Sequence, residues 1–236
     1  MVLAALRRRG LRAVVADRSA PSQGHRFDLV ISVGGDGTFL EAARGVTDEL
    51  VLGVNSNPAR SAGSFCAADA KTFAAVLEKV LRGKARIISA NRLQLSCHGR
   101  LFGPPVLNEI LVTHRKPAAM SRYRLEIGGQ REEQRSSGLW IATAAGSTGA
   151  ILSAGGKRLP RHSRRLQYRP RELYSGGIFH YRLRGGVIPA GRKVAVTSLM
   201  ADGLICVDGE RITFPFRAGE RLELSPFPKP LRLVIS

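Results

Sequence analysis

The chain has 236 residues, 44% of them hydrophobic and 23% charged, enough for a real core in one large domain or two modest ones. Its apolar runs are the length of a buried strand, short of the ~20 residues that a membrane helix needs, so no membrane span is expected. The net charge of +19 favours phosphate-rich or otherwise polyanionic partners without choosing among them.

Three scattered cysteines, Cys66, Cys97 and Cys206, form no CxxC pair. Such spacing argues against a disulfide framework or a zinc site and suits a reduced, cytoplasmic setting. The five histidines are equally dispersed, so no transition-metal centre built by the protein is expected.

The start, LAALRRRG, is Arg-rich and lacks acids, as a mitochondrial presequence would be. It reads better as a first helix ended by Gly10 and followed by a strand, LRAVVAD. FDLVISV is an apolar run of buried-strand character, and TFLEAARGV after it has helical spacing. Leu50 to Asn55 is the next strand, closing in the turn-rich NSNPARSAGS. DAKTFAAVLEKVLRGK is an amphipathic helix with Asp69 near its start and Gly83 at its end. This alternation predicts a parallel sheet with helices packed on it, over residues 1–89.

After Ile88 the period changes. RLQLSCHG, PPVLNEILVTH, SRYRLEIGG, SSGLWIATAA, KVAVTSLMA, LICVDGE, RITFPF and RLELSPF are short strand-like runs separated by turns. They predict an all-β, sandwich-like domain over residues 90–236. Within it, residues 155–171 are strongly basic with two prolines, read either as a solvated loop or as a phosphate-attracting lid.

Chemistry concentrates in LVISVGGDGTFLEAA. A buried strand ends in Gly34-Gly35-Asp36-Gly37-Thr38 and a helix begins at once. Glycines let backbone approach phosphate oxygens, and a helix N-terminus offers oriented N–H groups. The loop lacks the Gly-Lys-Ser/Thr of a Walker motif, and Leu40 stands where a dinucleotide fingerprint has its third glycine. A carboxylate at Asp36 could accept a hydroxyl proton and help position Mg²⁺. Asn108 and Glu109 offer donor and acceptor groups suited to paired sugar hydroxyls, and GSTG at 146–149 could hug a ligand. Ala145 to Gly149 also approaches the GxSxG elbow of hydrolases, with Glu172 and His180 in order behind it. That reading lacks its context, since no helix pattern follows Ser147. A nucleic-acid module lacks any recognisable motif, and four Tyr and one Trp with nine Phe are the whole aromatic supply for stacking.

GGDGT resembles the loop shared by NAD kinases, diacylglycerol and sphingosine kinases, and phosphofructokinases. Leu107-Asn108-Glu109-Ile110, GLWIATAAGSTGAILSAGG and ADGLICVDGE are similar, in order and spacing, to later segments of the NAD kinases, with the family's first strand missing. GVNSNPARSAG and QRSSGL resemble the mitochondrial and plant branch. The resemblance implies transfer of the terminal phosphoryl of ATP, or of polyphosphate, to the 2′-hydroxyl of the adenosine ribose of NAD(H). Asp36 would be the base, and Gly34, Gly35, Gly37 and Thr38 would hold the donor phosphates. Asp36, Gly37, Asn108, Glu109, Arg135, Ser137, Thr148, Gly149, Ala150 and Ser153 would bind the dinucleotide. Asp208, Gly209 and Glu210 form a further C-terminal element. Mg²⁺ or another divalent cation would ride mainly on donor phosphates, and a homodimer or homotetramer would be the assembly. The family's aromatic after GSTA, which packs on adenine, is replaced by Gly149 and Ala150. A lipid kinase sharing GGDGT is the alternative.

Overall fold

The computed structural model describes residues 1–17 and 27–235. Its first compact unit comprises Met1–Ser89 together with Lys229–Ser236. In chain order it contains α1 (Val2–Arg7), β1 (Leu29–Gly34), α2 (Asp36–Arg44), β2 (Leu50–Asn55), β3 (Cys66–Asp69), α3 (Phe73–Leu81) and β4 (Arg86–Ala90). The second unit, Ala90–Pro228, holds β5 (Leu93–Cys97), β6 (Arg100–Val106), β7 (Glu109–His114), β8 (Ser121–Ile127), β9 (Gln130–Ser136) and β10 (Gly138–Ala142). A 3₁₀ turn (Ala145–Thr148) and α4 (Ala150–Ser153) follow, then β11 (Leu166–Arg171), β12 (Gly186–Ile188), β13 (Val194–Ser198), β14 (Gly203–Val207), β15 (Ile212–Phe216) and β16 (Arg221–Pro226). The chain then returns to the first unit as β17 (Leu231–Ile235).

In the first unit β2 is central and wholly buried. It pairs in parallel with β1 along its length, with β17 at Leu50 and Val51, and with β3 from Gly53 to Asn55. A strand buried on both faces must be apolar throughout, which LVLGVN satisfies until its last residue. Helix α3 places Phe73 and Leu77 on one face at i and i+4, and both are buried with Leu52, Val54 and Val234 in one cluster. The turn before α3 is closed by Asp69, whose carboxylate accepts the backbone N–H groups of Lys71 and Thr72 at 2.9 and 2.8 Å. Beyond its end Gly83 takes a φ of +66°, the left-handed conformation that ends helices.

The second unit has two six-stranded sheets, ordered β12-β11-β10-β7-β14-β15 and β6-β5-β16-β13-β8-β9, whose recorded pairings are antiparallel. Alternate residues of both sheets, among them Leu95, Ile110, Tyr123, Leu125, Leu139, Ile141, Val196 and Val207, join one apolar cluster. This is a sandwich core built from period-two patterns.

Several expectations change. LRAVVAD is not a strand: only Asp17 makes a bridge, and Val14 and Val15 are 61% and 72% exposed, with no described element burying that valine pair. Residues 229–236 do not belong to the β-rich unit, since Leu231–Ile235 is apolar enough to complete the parallel sheet beside β2. The basic stretch is a loop only to residue 165. Its last six residues are β11, an interior strand between β10 and β12. QREEQRS, not among the strand-like runs, is β9 at a sheet edge, where one side needs no burial. Ser147 itself lies in the 3₁₀ turn, and one short helix, α4, follows it after all.

Candidate active site

The GGDGT loop is a strand-to-helix turn, with Gly35 the residue before α2 and Asp36 the first residue in it. Asp36 does not point idly into solvent. Its Oδ2 accepts the N–H of Ser64 at 2.9 Å and its Oδ1 the N–H of Phe65 at 2.8 Å. The carboxylate therefore anchors the turn that follows β2. At the base of that turn Asn55 closes it from within, donating from Nδ2 to the Ser61 carbonyl at 3.0 Å and accepting from Asn57 N at 3.0 Å. Phe39 of α2 stacks on Phe65 with ring centroids 4.9 Å apart, so apolar packing holds the same contact. A side chain at Gly35 would meet Ser61 Oγ at 2.7 Å, so the Ser61 hydroxyl would have to turn away to admit one. The Cys66 thiol nearby is pushed up to about 11, by burial first and by the Asp36 charge second, which makes it an inert thiol.

In the second unit Asn108 stands just before β7 and Glu109 opens it, and 8% and 7% of their surface is exposed. Asp208, from the turn after β14, reaches across a sequence gap of about a hundred residues. Its Oδ2 accepts Leu107 N at 2.9 Å and its Oδ1 accepts Asn108 N at 2.7 Å and Glu109 N at 3.1 Å. Thr143 holds the other side: its N–H donates to the Asn108 carbonyl at 2.8 Å, and its hydroxyl donates to the Leu107 carbonyl and accepts Gly146 N at 3.1 Å. Gly146 lies against the Asn108 backbone so closely that a Cβ there would collide with it.

The backbone of this pair is thus fully engaged while its side chains are not. Asn108 Oδ1 and Glu109 Oε2 are buried, and neither has a hydrogen-bond partner among the described residues. Burial, and then the Asp208 charge, push the Glu109 carboxyl up to about 8. Two orphaned oxygens in a rigid cradle are what a polar ligand such as a sugar diol would satisfy.

The remaining sequence candidates divide. A Cβ on Gly149 would stand 3.0 Å from Glu109 Oε2 and 3.5 Å from Asn108 Nδ2, which ties the GSTG loop to the pair. Ala150 and Ser153 line an open pocket of about 480 Å³ with Trp140. Arg135 instead lies over the Phe179 ring, 4.6 Å from its centroid, and Ser137 N donates to the Arg171 carbonyl at 2.9 Å. Gly209 and Glu210 are at an exposed turn tip, so of that element only Asp208 enters the cradle. The hydrolase reading also lacks its nucleophile: Ser147 is fully buried, and its hydroxyl accepts Leu159 N at 2.9 Å and donates to the Leu159 carbonyl at 3.3 Å. Among the described residues no group of three or more His, Cys, Asp or Glu could hold a metal, and no helix is long and apolar enough to cross a membrane. Sequence reading missed the clamping roles of Asn55, Thr143 and the Ser64–Phe65 amides. For the amides no side-chain signal existed to find.

The profile of the family described as ATP-NAD kinase N-terminal domain matches residues 15–85. A probable NADH kinase from Oryza sativa subsp. japonica is 35% identical over 233 residues, covering 89% of this chain and 72% of the relative. The chain belongs to the NAD kinase family. An NADH kinase from Arabidopsis thaliana is 34% identical, covering 89% of this chain and 73% of its own length, in keeping with the plant-branch resemblance of the Asn55 segment. An NAD kinase from Archaeoglobus fulgidus, solved in complex with ATP, shares the fold with a TM-score of 0.80 at 24% identity, over 99% of this chain and 87% of that one. Yeast NADH kinase, solved with NADH, matches with a TM-score of 0.78 at 20% identity, over 89% of this chain and 62% of that one. Membership displaces the lipid-kinase alternative.

Proposed function

We propose that this chain is an NAD(H) kinase, transferring the terminal phosphoryl group of ATP to the 2′-hydroxyl of the adenosine ribose. The observation that carries the reading is the Asn108–Glu109 cradle. Its backbone is clamped by Asp208 and Thr143, and its two orphaned buried oxygens are matched to hydroxyl donors. Phosphoryl transfer asks mainly for positioning and charge neutralisation. Gly34, Gly35, Gly37 and Thr38 present backbone and hydroxyl groups to the donor phosphates at the N-terminus of α2. Asp36, held in orientation by Ser64 and Phe65, keeps a second lone pair on each oxygen for the attacking hydroxyl. As the ribose oxygen bonds to phosphorus and the bridging P–O bond breaks, Asp36 takes the hydroxyl proton and the nucleoside diphosphate leaves.

A divalent cation would arrive on the donor phosphates and supply charge neutralisation there. The remaining candidates, Arg135, Ser137, Thr148 and Ser153, are assigned to the dinucleotide side. A homodimer or homotetramer in the cytoplasm completes the reading. The test is formation of NADP or NADPH with ATP, GTP and polyphosphate crossed against NAD and NADH. Absence of product in every combination overturns it.

A further inference from the structure

Trp140 is the single tryptophan of the chain, and the sandwich does not need it. Its neighbours on β10, Leu139 and Ile141, are fully buried in the core, so the pleat turns Trp140 to the opposite face of the sheet. There it is partly exposed, and no aromatic ring or cation stacks on its indole among the described residues. Instead it forms a wall of the 480 Å³ pocket, with Ala150 and Ser153 of α4 and with Pro170, Arg171 and Glu172. That volume falls within the range of small-ligand sites.

Position matters more than size. Gly149, lacking a side chain, faces the orphaned Glu109 carboxylate, and the next residue, Ala150, faces the Trp140 pocket. Consecutive residues thus line a place suited to a sugar diol and a place suited to a flat ring, the two halves of a nucleoside. The methyl group of Ala150 leaves the space beside the indole open, where a larger side chain would fill it. At the rim Arg171 supplies N–H donors and Glu172 an acceptor, with Arg171 Nε 3.9 Å from the Glu172 carboxylate. Adenine presents the matching acceptor and amino donor on one edge. Arg169, paired with Trp140 across the β10–β11 ladder, adds a second guanidinium.

We propose that Trp140 is the stacking platform for the adenine ring of the acceptor dinucleotide, making it a specificity-determining residue of this site. The proposal rests on the NAD(H) kinase reading but is tested apart from it. Because the chain has one tryptophan, its emission reports this ring alone. Titration of the unaltered protein with AMP should quench the emission saturably, whereas nicotinamide mononucleotide and ribose 5-phosphate should not. Trp140→Leu should raise the KM for NAD about 5- to 150-fold, the range expected of one base–aromatic stack, and raise it more than it lowers kcat. The KM for ATP should not move, and Trp140→Phe should recover most of the loss. Unchanged emission with AMP, quenching by the nicotinamide nucleotide instead, or an unaltered KM for NAD in Trp140→Leu overturns the assignment. If no phosphorylated dinucleotide forms with any donor, the kinase reading fails, and the AMP titration still decides whether Trp140 stacks a purine.

Discussion

Asp36 of the first unit and Glu109 of the second are the two carboxylates given roles in the proposed reaction, and the chain treats them in opposite ways. Both oxygens of Asp36 accept backbone N–H groups, from Ser64 and Phe65. Glu109 is 7% exposed with Oε2 orphaned, and its nearest named charge is another carboxylate, Asp208, which has already taken three backbone donors. The first arrangement fixes a carboxylate's orientation, as the proposed general base would require. The second leaves a buried carboxyl oxygen without a partner, as the proposed ligand hydroxyl would require. The comparison teaches that burial and backbone donors, rather than residue type, give these two acids different surroundings.

The comparison breaks first at Asp36. Asp36→Asn keeps the shape but cannot take a proton, so kcat should fall by the ~10²–10⁴ of a positioned general base. The dinucleotide Kd should change far less. One backbone N–H would then face the new amide group, costing about 1–3 kcal/mol by thermal melting. Near-normal turnover would reduce Asp36 to a clamp for the turn.

Asp208→Asn should show the next largest effect. An amide offers one acceptor oxygen where three N–H groups converge, so at least one is orphaned at about 1–3 kcal/mol. With the cradle loosened, the KM for NAD should rise more than kcat falls. Equal losses in both would place Asp208 nearer the reaction than the geometry does.

Glu109→Gln sharpens the contrast through pH. The folded-state pKa, about 8, lies above the ordinary value of 4.5, so between those values the unfolded chain binds fewer protons than the folded one. Stability contributed at this site is therefore greatest below pH 4.5 and declines as pH rises toward 8. The slope is at most about 1.4 kcal/mol per pH unit. Glu109→Gln should flatten that decline in denaturant titrations across pH 5–8 and should raise the KM for NAD. An identical pH profile for both proteins contradicts the buried, partner-poor state of Glu109.

The smallest effect belongs to the basic loop. It is tethered rather than loose: Lys157 N donates to Gln167 Oε1 at 2.7 Å, and Asn91 Nδ2 donates to the His162 carbonyl at 2.9 Å. Neutralising Arg161, Arg164 and Arg165 together should raise the donor KM only at low ionic strength, because exposed charges are screened at higher salt. An unchanged donor KM at low salt makes the loop solvated surface.

Much of this was legible in order along the chain. An apolar run, a glycine turn and a helix follow one another within residues 29–44, although β1 is mostly half-buried rather than buried, and α3 carries its own spacing and its terminal glycine. Local pattern suffices where neighbours in sequence are neighbours in space. QREEQRS is absent from the strand-like runs and LQYRPR falls in the stretch read as loop or lid, because β9 and β11 owe their state to the strands beside them, not to apolar alternation.

The sequence by itself determined the period change near residue 89, the phosphate-type loop and the family resemblance, all carried by residues close together in the chain. Only the tertiary structure decided that Leu231–Ile235 joins the parallel sheet, that Asp36 is bound to amides 28 and 29 residues away, and that Asp208 clamps Asn108 and Glu109 from 100 and 99 residues away. The physical reason is that a backbone N–H carries no side-chain identity. Which carboxylate it will satisfy, and which one it will leave buried and alone, is set when the chain closes those loops.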